Sequence, residues 1–216
     1  LAGTQLVQGI LACLLRKSVS GKGGLVQVSM LETAIDFQFE TITTFFRDGG
    51  QPTVRAQKNS AHAYLGAPYG IYQTKNGYLA LAMSSIPQLG QLLNCEPLLN
   101  YPDDRTWYTH RDEIKTILSS LLMKDTLQHW LSILEPNDIW CSEVMSWDKL
   151  FAHEGFKALD MIQSVCMSDG FAFQTTRCPI RIDGELFTSE LGTPILGEHN
   201  LEIMKELIVR SYAEDK

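Results

Sequence analysis

The residues best equipped for chemistry fall in two places. The stretch SGKGGLVQVSMLET, Ser20 to Thr33, sets Gly21, Lys22, Gly23 and Gly24 side by side, a composition that can wrap a phosphate. Near the other end, Glu198 and His199 adjoin as an acid and a base. A phosphate loop needs a strand before its glycines and a helix after them, so that free N–H groups of the helix N-terminus face the anion. Here the order is reversed. Upstream, Leu6, Ile10 and Leu14 recur every four residues with Val7, Leu11 and Leu15 beside them, the stripe of an amphipathic helix that Arg16 and Lys17 close. Downstream, LVQVSM alternates and is read as a strand over 25–30. The glycines are therefore expected to stop a helix through positive φ, with Lys22 a solvated turn residue. Glu198 and His199 are read as the lead into a helix capped by Asn200, with Glu202 in its first turn.

The elements that would position such groups follow from periodicity. A long helix is expected over 30–47, ended by Gly49 and Gly50, and then a polar linker over 48–63. YGIYQT and GYLALAMS form a hairpin about Lys75-Asn76-Gly77, where Asn and Gly tolerate positive φ. PQLGQLLN starts a short helix with Pro87 in its first turn. A longer helix is expected over 104–124, with Ile114, Ile117, Leu118 and Leu121 inward, and another over 125–136, capped by Asp125 or Thr126. DIWCSEV is extended, SWDKLFAH is a capped helix starting at Ser146, MIQSVCM and FAFQTT are strands, and a helix closes the chain. Trp107, Tyr108, Trp130 and Trp147 sit at helical spacing and are assigned to the core.

Bulk properties narrow the function. The 216 residues are 44% hydrophobic and 20% charged, ordinary for a globular protein. The formal net charge of −7 argues against a nucleic-acid partner, which requires a basic face. No apolar run is long enough to span a membrane, and the opening helix lacks the basic segment of a signal peptide. Cys13, Cys95, Cys141, Cys166 and Cys178 are odd in number and form no Cys-x-x-Cys, which argues for reduced thiols in a cytoplasmic setting. His62, His110, His129, His153 and His199 form no His-x-x-x-His pair, so no metal site is expected. The chain opens inside a helical pattern with no Met, which suggests a piece of something longer.

Three stretches, in order, resemble the class III CoA-transferases, the CaiB/BaiF family. GILACLLRKSVSGKGGLVQVSMLET is similar to that family's Gly-Ile-Leu-Ala helix, glycine turn and Val-Asp-Val-Ser strand; APYGIYQTKNGYLALAM to its Pro-Tyr-Gly-x-Tyr hairpin; and PILGEHNLEIMKEL to its C-terminal Pro-x-Leu-Gly-Glu-His segment. Gly24 stands where the family usually has Gln, and Gln27 and Asn76 where it often has Asp. The resemblance implies an α/β fold, of which this is the C-terminal portion: large-domain helices and strand over 1–50, a linker and small α+β domain over 51–165, and a return to the large domain over 166–216. It implies coenzyme A and acyl-CoA as substrates with a carboxylic acid acceptor, and no covalently bound cofactor. It implies a homodimer of interlocked chains or association with an N-terminal half. The family's catalytic aspartate falls roughly two residues before Leu1 by the motif register, so no catalytic residue is assigned within the chain. The counterpart of the family's covering loop is AYLGAPYG, with only Gly66 and Gly70. Tyr64, Gly66, Pro68 and Tyr69 are its candidate acyl-lining residues, since tyrosine offers an apolar face with a polar tip. Packing at the start of the hairpin is the competing reading of the same four. Two alternatives to transfer stay open: an α-methylacyl-CoA racemase-like member, and a non-catalytic C-terminal half acting in structure or assembly.

Overall fold

The computed structural model describes residues 1–59 and 62–214; Ser60 and Ala61, part of the expected 48–63 linker, lie outside the described residues. The chain divides into two compact units, Leu1–Val144 and Met145–Lys216.

The first unit opens with helix α1, Ala2–Ser20, which Gly21 ends at φ 70 with its N–H on the Lys17 carbonyl. The glycine stretch is thus a helix stop, as its position after a helix predicts. Arg16 fixes the turn, donating from Nη2 to Gly23 O at 2.6 Å and from Nε to Lys22 O at 3.3 Å. The expected strand over 25–30 does not form. The backbone of 25–29 joins no ladder among the described residues, and Met30 already opens the next helix; an alternating sequence makes a strand only where a partner accepts its hydrogen bonds. Val26 instead lies over Gly9 of α1, where a β-carbon would sit 2.5 Å from its Cγ1.

Ser29 caps the next helix, α2 (Met30–Asp36), through a reciprocal pair: its Oγ accepts the Glu32 N–H at 3.0 Å and donates to Glu32 Oε2 at 2.6 Å. The single helix expected over 30–47 is two, because α3 runs Phe39–Arg47 after a two-residue break at Phe37 and Gln38. The Gln38 side chain takes the Ala34 carbonyl at 3.2 Å, and its own N–H falls back to Ile35 O. A side chain has displaced the backbone from its i−4 acceptor. Gly49 and Gly50, both at positive φ, end α3.

The hairpin forms as read, β1 (Gly70–Gln73) against β2 (Tyr78–Leu81), with Gln73 opposite Tyr78. Its turn does not use positive φ at Asn76 or Gly77. Thr74 closes it, donating from N and Oγ1 to Gly77 O, and Asn76 is left free for a different task. Helix α4 (Ile86–Leu92) carries Pro87 in its first turn. The helix expected from 104 starts late, as α5, Arg111–Leu122, after a 3₁₀ turn at Asp104–Thr106. Asp103 holds that turn by accepting from Arg105 N, Nε and Nη2. Thr126 caps α6 (Leu127–Leu134), and Asn76 Oδ1 adds an acceptor for the Leu127 N–H at 2.8 Å. Strand β3 (Cys141–Glu143) completes an antiparallel sheet of order β1-β2-β3.

One face of this sheet carries Tyr72, Leu79 and Leu81 into a core with Ile86, Leu89, Ile114, Leu118, Leu122, Leu127, Trp130 and Leu134. Trp130 Nε1 donates to Leu122 O at 2.8 Å, so the buried indole also satisfies a C-terminal carbonyl of α5. The core contains no residue of α1, α2 or α3. Of the four assigned aromatics, Trp130 is buried and Trp107 half-buried, but Tyr108 and Trp147 are exposed, so those two are not core residues.

The second unit has α7 (Trp147–Ala152), α8 (Glu154–Leu159), an antiparallel pair β4 (Ile162–Cys166) and β5 (Ala172–Thr176), a minimal hairpin β6 (Arg181–Ile182) and β7 (Glu185–Leu186), and α9 (Asn200–Glu214). Ser146 stands at the N-cap of α7, yet its side chain accepts no helix N–H. Asn200 is the first residue of α9 rather than the one before it. Arg177 is buried and covers the end of α8, donating to Leu159 O at 2.8 Å, Asp160 O at 2.6 Å and Cys178 O at 2.6 Å. A guanidinium there answers both the free carbonyls and the helix dipole. Among the described residues no helix is long and apolar enough to cross a membrane.

Candidate functional site

A cleft lies on the open face of the three-stranded sheet. Ile71, Ala80 and Ser142 form one cross-strand row. With Tyr69, Leu81, Ile139, Trp140 and Cys141 they line this cleft of about 710 Å³, which Glu135 and Asp138 border. The walls are apolar and the border acidic. The Cys141 thiol is held above its ordinary pKa, first by burial and then by the Glu135 carboxylate. It is therefore mostly protonated near neutrality and a poor nucleophile. Among the described residues no group of three or more His, Cys, Asp or Glu side chains is arranged to hold a metal ion.

The loop leading into β1 carries the four candidate residues, and each stands differently. Tyr64 is half-buried, its N–H donating to His62 Nδ1 at 3.2 Å. Gly66 lies against the Trp107–Tyr108 backbone, where a β-carbon would meet three atoms at 3.2 Å. Pro68 is buried, and its carbonyl accepts the Tyr72 hydroxyl at 2.5 Å. Burial raises the Tyr72 pKa well above the ordinary phenol value, so this hydroxyl remains a donor. Tyr69 alone of the four lines the cleft. Ala67 N–H donates to Trp107 O at 3.3 Å, and the Ala67–Pro68 peptide bond is cis.

Behind the loop lies a polar assembly that periodicity did not flag. Helix α5 presents Arg111, Asp112, Lys115 and Ser119 to the segment 54–59. Arg111 Nη2 donates to Val54 O, and its guanidinium stands 4.2 Å from the Tyr108 ring centre. Asp112 Oδ1 accepts the Gln57 N–H at 2.8 Å. Lys115 Nζ donates to Asn59 O at 3.1 Å, and Asn59 Nδ2 to Ser119 Oγ at 2.7 Å. Lys115 is 1% exposed. Its pKa is lowered, first by burial and then by Arg111, with Asp112 opposing. The signal was present in the sequence: Arg111, Lys115 and Ser119 recur every four residues beside the apolar row Ile114, Leu118, Leu122.

The other chemical candidates have local duties. Lys22 offers its carbonyl to Arg16. Glu198 Oε2 accepts the Ile195 N–H at 2.7 Å, closing the turn before α9.

Comparison with known proteins agrees with the resemblance. The chain is 27% identical, over its whole length, to the (R)-2-hydroxy-4-methylpentanoate CoA-transferase of Clostridioides difficile, covering 54% of that protein. It is 25% identical to a succinate–glutarate CoA-transferase of Agrobacterium fabrum, over 95% of this chain and 52% of the relative. The chain thus spans about half the length of the curated relatives it matches. In fold it is similar to a CaiB/BaiF family protein from Brucella suis, with a TM-score of 0.69 at 22% identity over 95% of this chain and 54% of that one. The profile of CoA-transferase family III matches residues 1–200, and the chain belongs to that family.

Proposed function

We propose that this chain is the C-terminal part of an enzyme that moves coenzyme A from an acyl thioester to a carboxylic acid, with a nucleophilic aspartate supplied from outside residues 1–216. The observation that carries the reading is the family match across residues 1–200, alongside relatives named as CoA-transferases. The aspartate attacks the thioester carbonyl, and the C–S bond breaks to give a mixed anhydride and CoA thiolate. The thiolate attacks the aspartyl carbonyl and releases the first acid as carboxylate, leaving an aspartyl-CoA thioester. The acceptor carboxylate attacks that thioester and frees the thiolate, which then takes the new acyl group and regenerates the aspartate. Splitting the exchange this way replaces one hard step with easier ones, and the acyl intermediates must be kept from water. Tyr64, Gly66, Pro68 and Tyr69 belong to the loop that would line the acyl group, with Tyr69 on the cleft and Pro68 held by Tyr72.

The exposed row Leu6, Ile10 and Leu14 supports association with a second copy or with an N-terminal half, because apolar surface of that extent seeks cover. The five free thiols support a reducing, cytoplasmic setting.

Incubation with acyl-CoA and isotope-labelled acids, followed by mass spectrometry, tests the reading. The chain alone should give neither exchange nor adduct, since displacement of a reacting group by even ~1 Å can cost on the order of 100-fold. The aspartate-bearing protein should give both, and Tyr69→Ala should change its acyl preference. An adduct on any residue of 1–216 would overturn the placement of the nucleophile.

A further inference from the structure

We propose that Lys115 is the positioning residue of the loop Tyr64–Tyr69: by holding the Asn59 carbonyl against Gly70, it sets where that loop meets the sheet. The functional meaning rests on the reading of the loop as acyl lining, but the geometry stands on its own. Lys115 Nζ donates to Asn59 O at 3.1 Å. The same carbonyl occupies the space where a β-carbon on Gly70 would lie, and Gly70 is the first residue of β1, next to Tyr69. Asn59 holds a left-handed φ of 53 to aim it there. On the other side of the loop, Gly66 and Ala67 rest on Trp107 and Tyr108, and Arg111, one helical turn before Lys115, stacks on that Tyr108 ring. Two successive cations of one helix therefore reach the two flanks of one loop.

A stability role alone does not account for a lysine here. Lys115 is 1% exposed and meets a neutral carbonyl, so its charge costs desolvation that a methionine of similar length would avoid. The charged groups acting on it are Arg111 and Asp112 of its own helix. The segment 54–59 presents the neutral Asn59 carbonyl, while its cations Arg55 and Lys58 are exposed, as is Glu96 of the 3₁₀ turn Glu96–Asn100 that also packs on α5. Strand β1, which packs on α5, carries Tyr72 on its buried face, protonated and bonded to Pro68 O. Opening of the segment would return Lys115 to water and to an ordinary pKa. The open form then binds more protons than the closed one between the lowered and ordinary values, so rising pH favours closure across that window and closure is weakest below it.

Hydrogen exchange of the intact chain, read peptide by peptide, is the test. In Lys115→Met the amides of 54–59 and 64–69 should open about tenfold more readily, while urea unfolding shows equal or greater global stability. Gly70→Ala should loosen the same peptides by displacing the carbonyl. Asn59→Gly keeps the backbone angle and the carbonyl, and should leave 64–69 protected. Protection of 54–59, corrected for intrinsic rates, should rise in the wild type as pH is raised from neutrality towards the ordinary lysine range, and stay flat in Lys115→Met. Unchanged exchange in Lys115→Met, a loss spread evenly over all peptides, or a flat wild-type profile would each overturn the proposal. No acyl-CoA enters this measurement. Failure of Tyr69→Ala to change acyl preference would overturn the acyl reading instead.

Discussion

Helices α1 and α5 are written in the same spacing and end in opposite environments. Leu6, Ile10 and Leu14 repeat every four residues, as do Ile114, Leu118 and Leu122. The second row is wholly buried, whereas the first is 38%, 42% and 56% exposed. Spacing determines that each segment is a helix with one apolar face. What covers that face depends on residues distant in sequence: the hairpin and α6 for α5, and nothing within the described core for α1. The same contrast separates β2, whose alternation finds β1 and β3, from the 25–28 segment, whose alternation finds no ladder.

Truncating the two rows should give the largest difference. Leu118→Ala should cost about 2–5 kcal/mol in urea unfolding, and Leu14→Ala within about 0.5 kcal/mol in the chain without a partner. An equal cost for Leu14→Ala would mean that α1 is covered in solution, and concentration-dependent light scattering would then identify a second copy as the cover. In the second unit, Val165 and Arg177 are the buried core and buried charge among the described residues. Arg177→Leu should therefore cost about 3 kcal/mol through the carbonyls of α8, seen as an early transition confined to residues 145–214 in exchange-detected unfolding. Ser29→Ala should cost about 1 kcal/mol by removing the cap of α2, a local loss independent of whether α1 finds cover. The smallest effect concerns the sheet's open face. Cys141 should be alkylated slowly near neutrality, and Glu135→Gln should speed it roughly twofold by removing the carboxylate that opposes the thiolate.

Most of the fold was legible because helices and hairpins declare themselves within ten or twenty residues. Pro87 in a first turn, Thr126 as a cap and Gly21 as a stop are local events, and each is found where its residue type suggests. The misses turn on which partner a side chain takes, and spacing alone does not determine that. Gln38 divides a helix by taking a carbonyl from its own backbone. Asn76 reads as a left-handed turn residue but is engaged by the N-terminus of α6, through an oxygen that Asp would also supply. Trp147 has helical spacing, yet stacks on Phe151 at 5.9 Å with most of its ring in solvent. Of the four loop residues that the family resemblance singled out, Tyr69 alone lines the cleft. The Lys115–Asn59 bond behind that loop spans 56 residues, and composition offers no cue to it beyond a polar row beside an apolar one.

The turn after α1 has a consequence for how this chain can diverge. Arg16 lays its guanidinium over the backbone of Lys22 and Gly23, on the ground a side chain at position 24 would need. A side chain at position 24 therefore requires the guanidinium, the far end of a flexible chain, to move aside. A larger residue at 24 should displace that guanidinium, and a shorter residue at 16 should remove the conflict. Gly24→Gln introduced alone should release the arginine and free the turn, and Arg16→Ala introduced beside it should restore room.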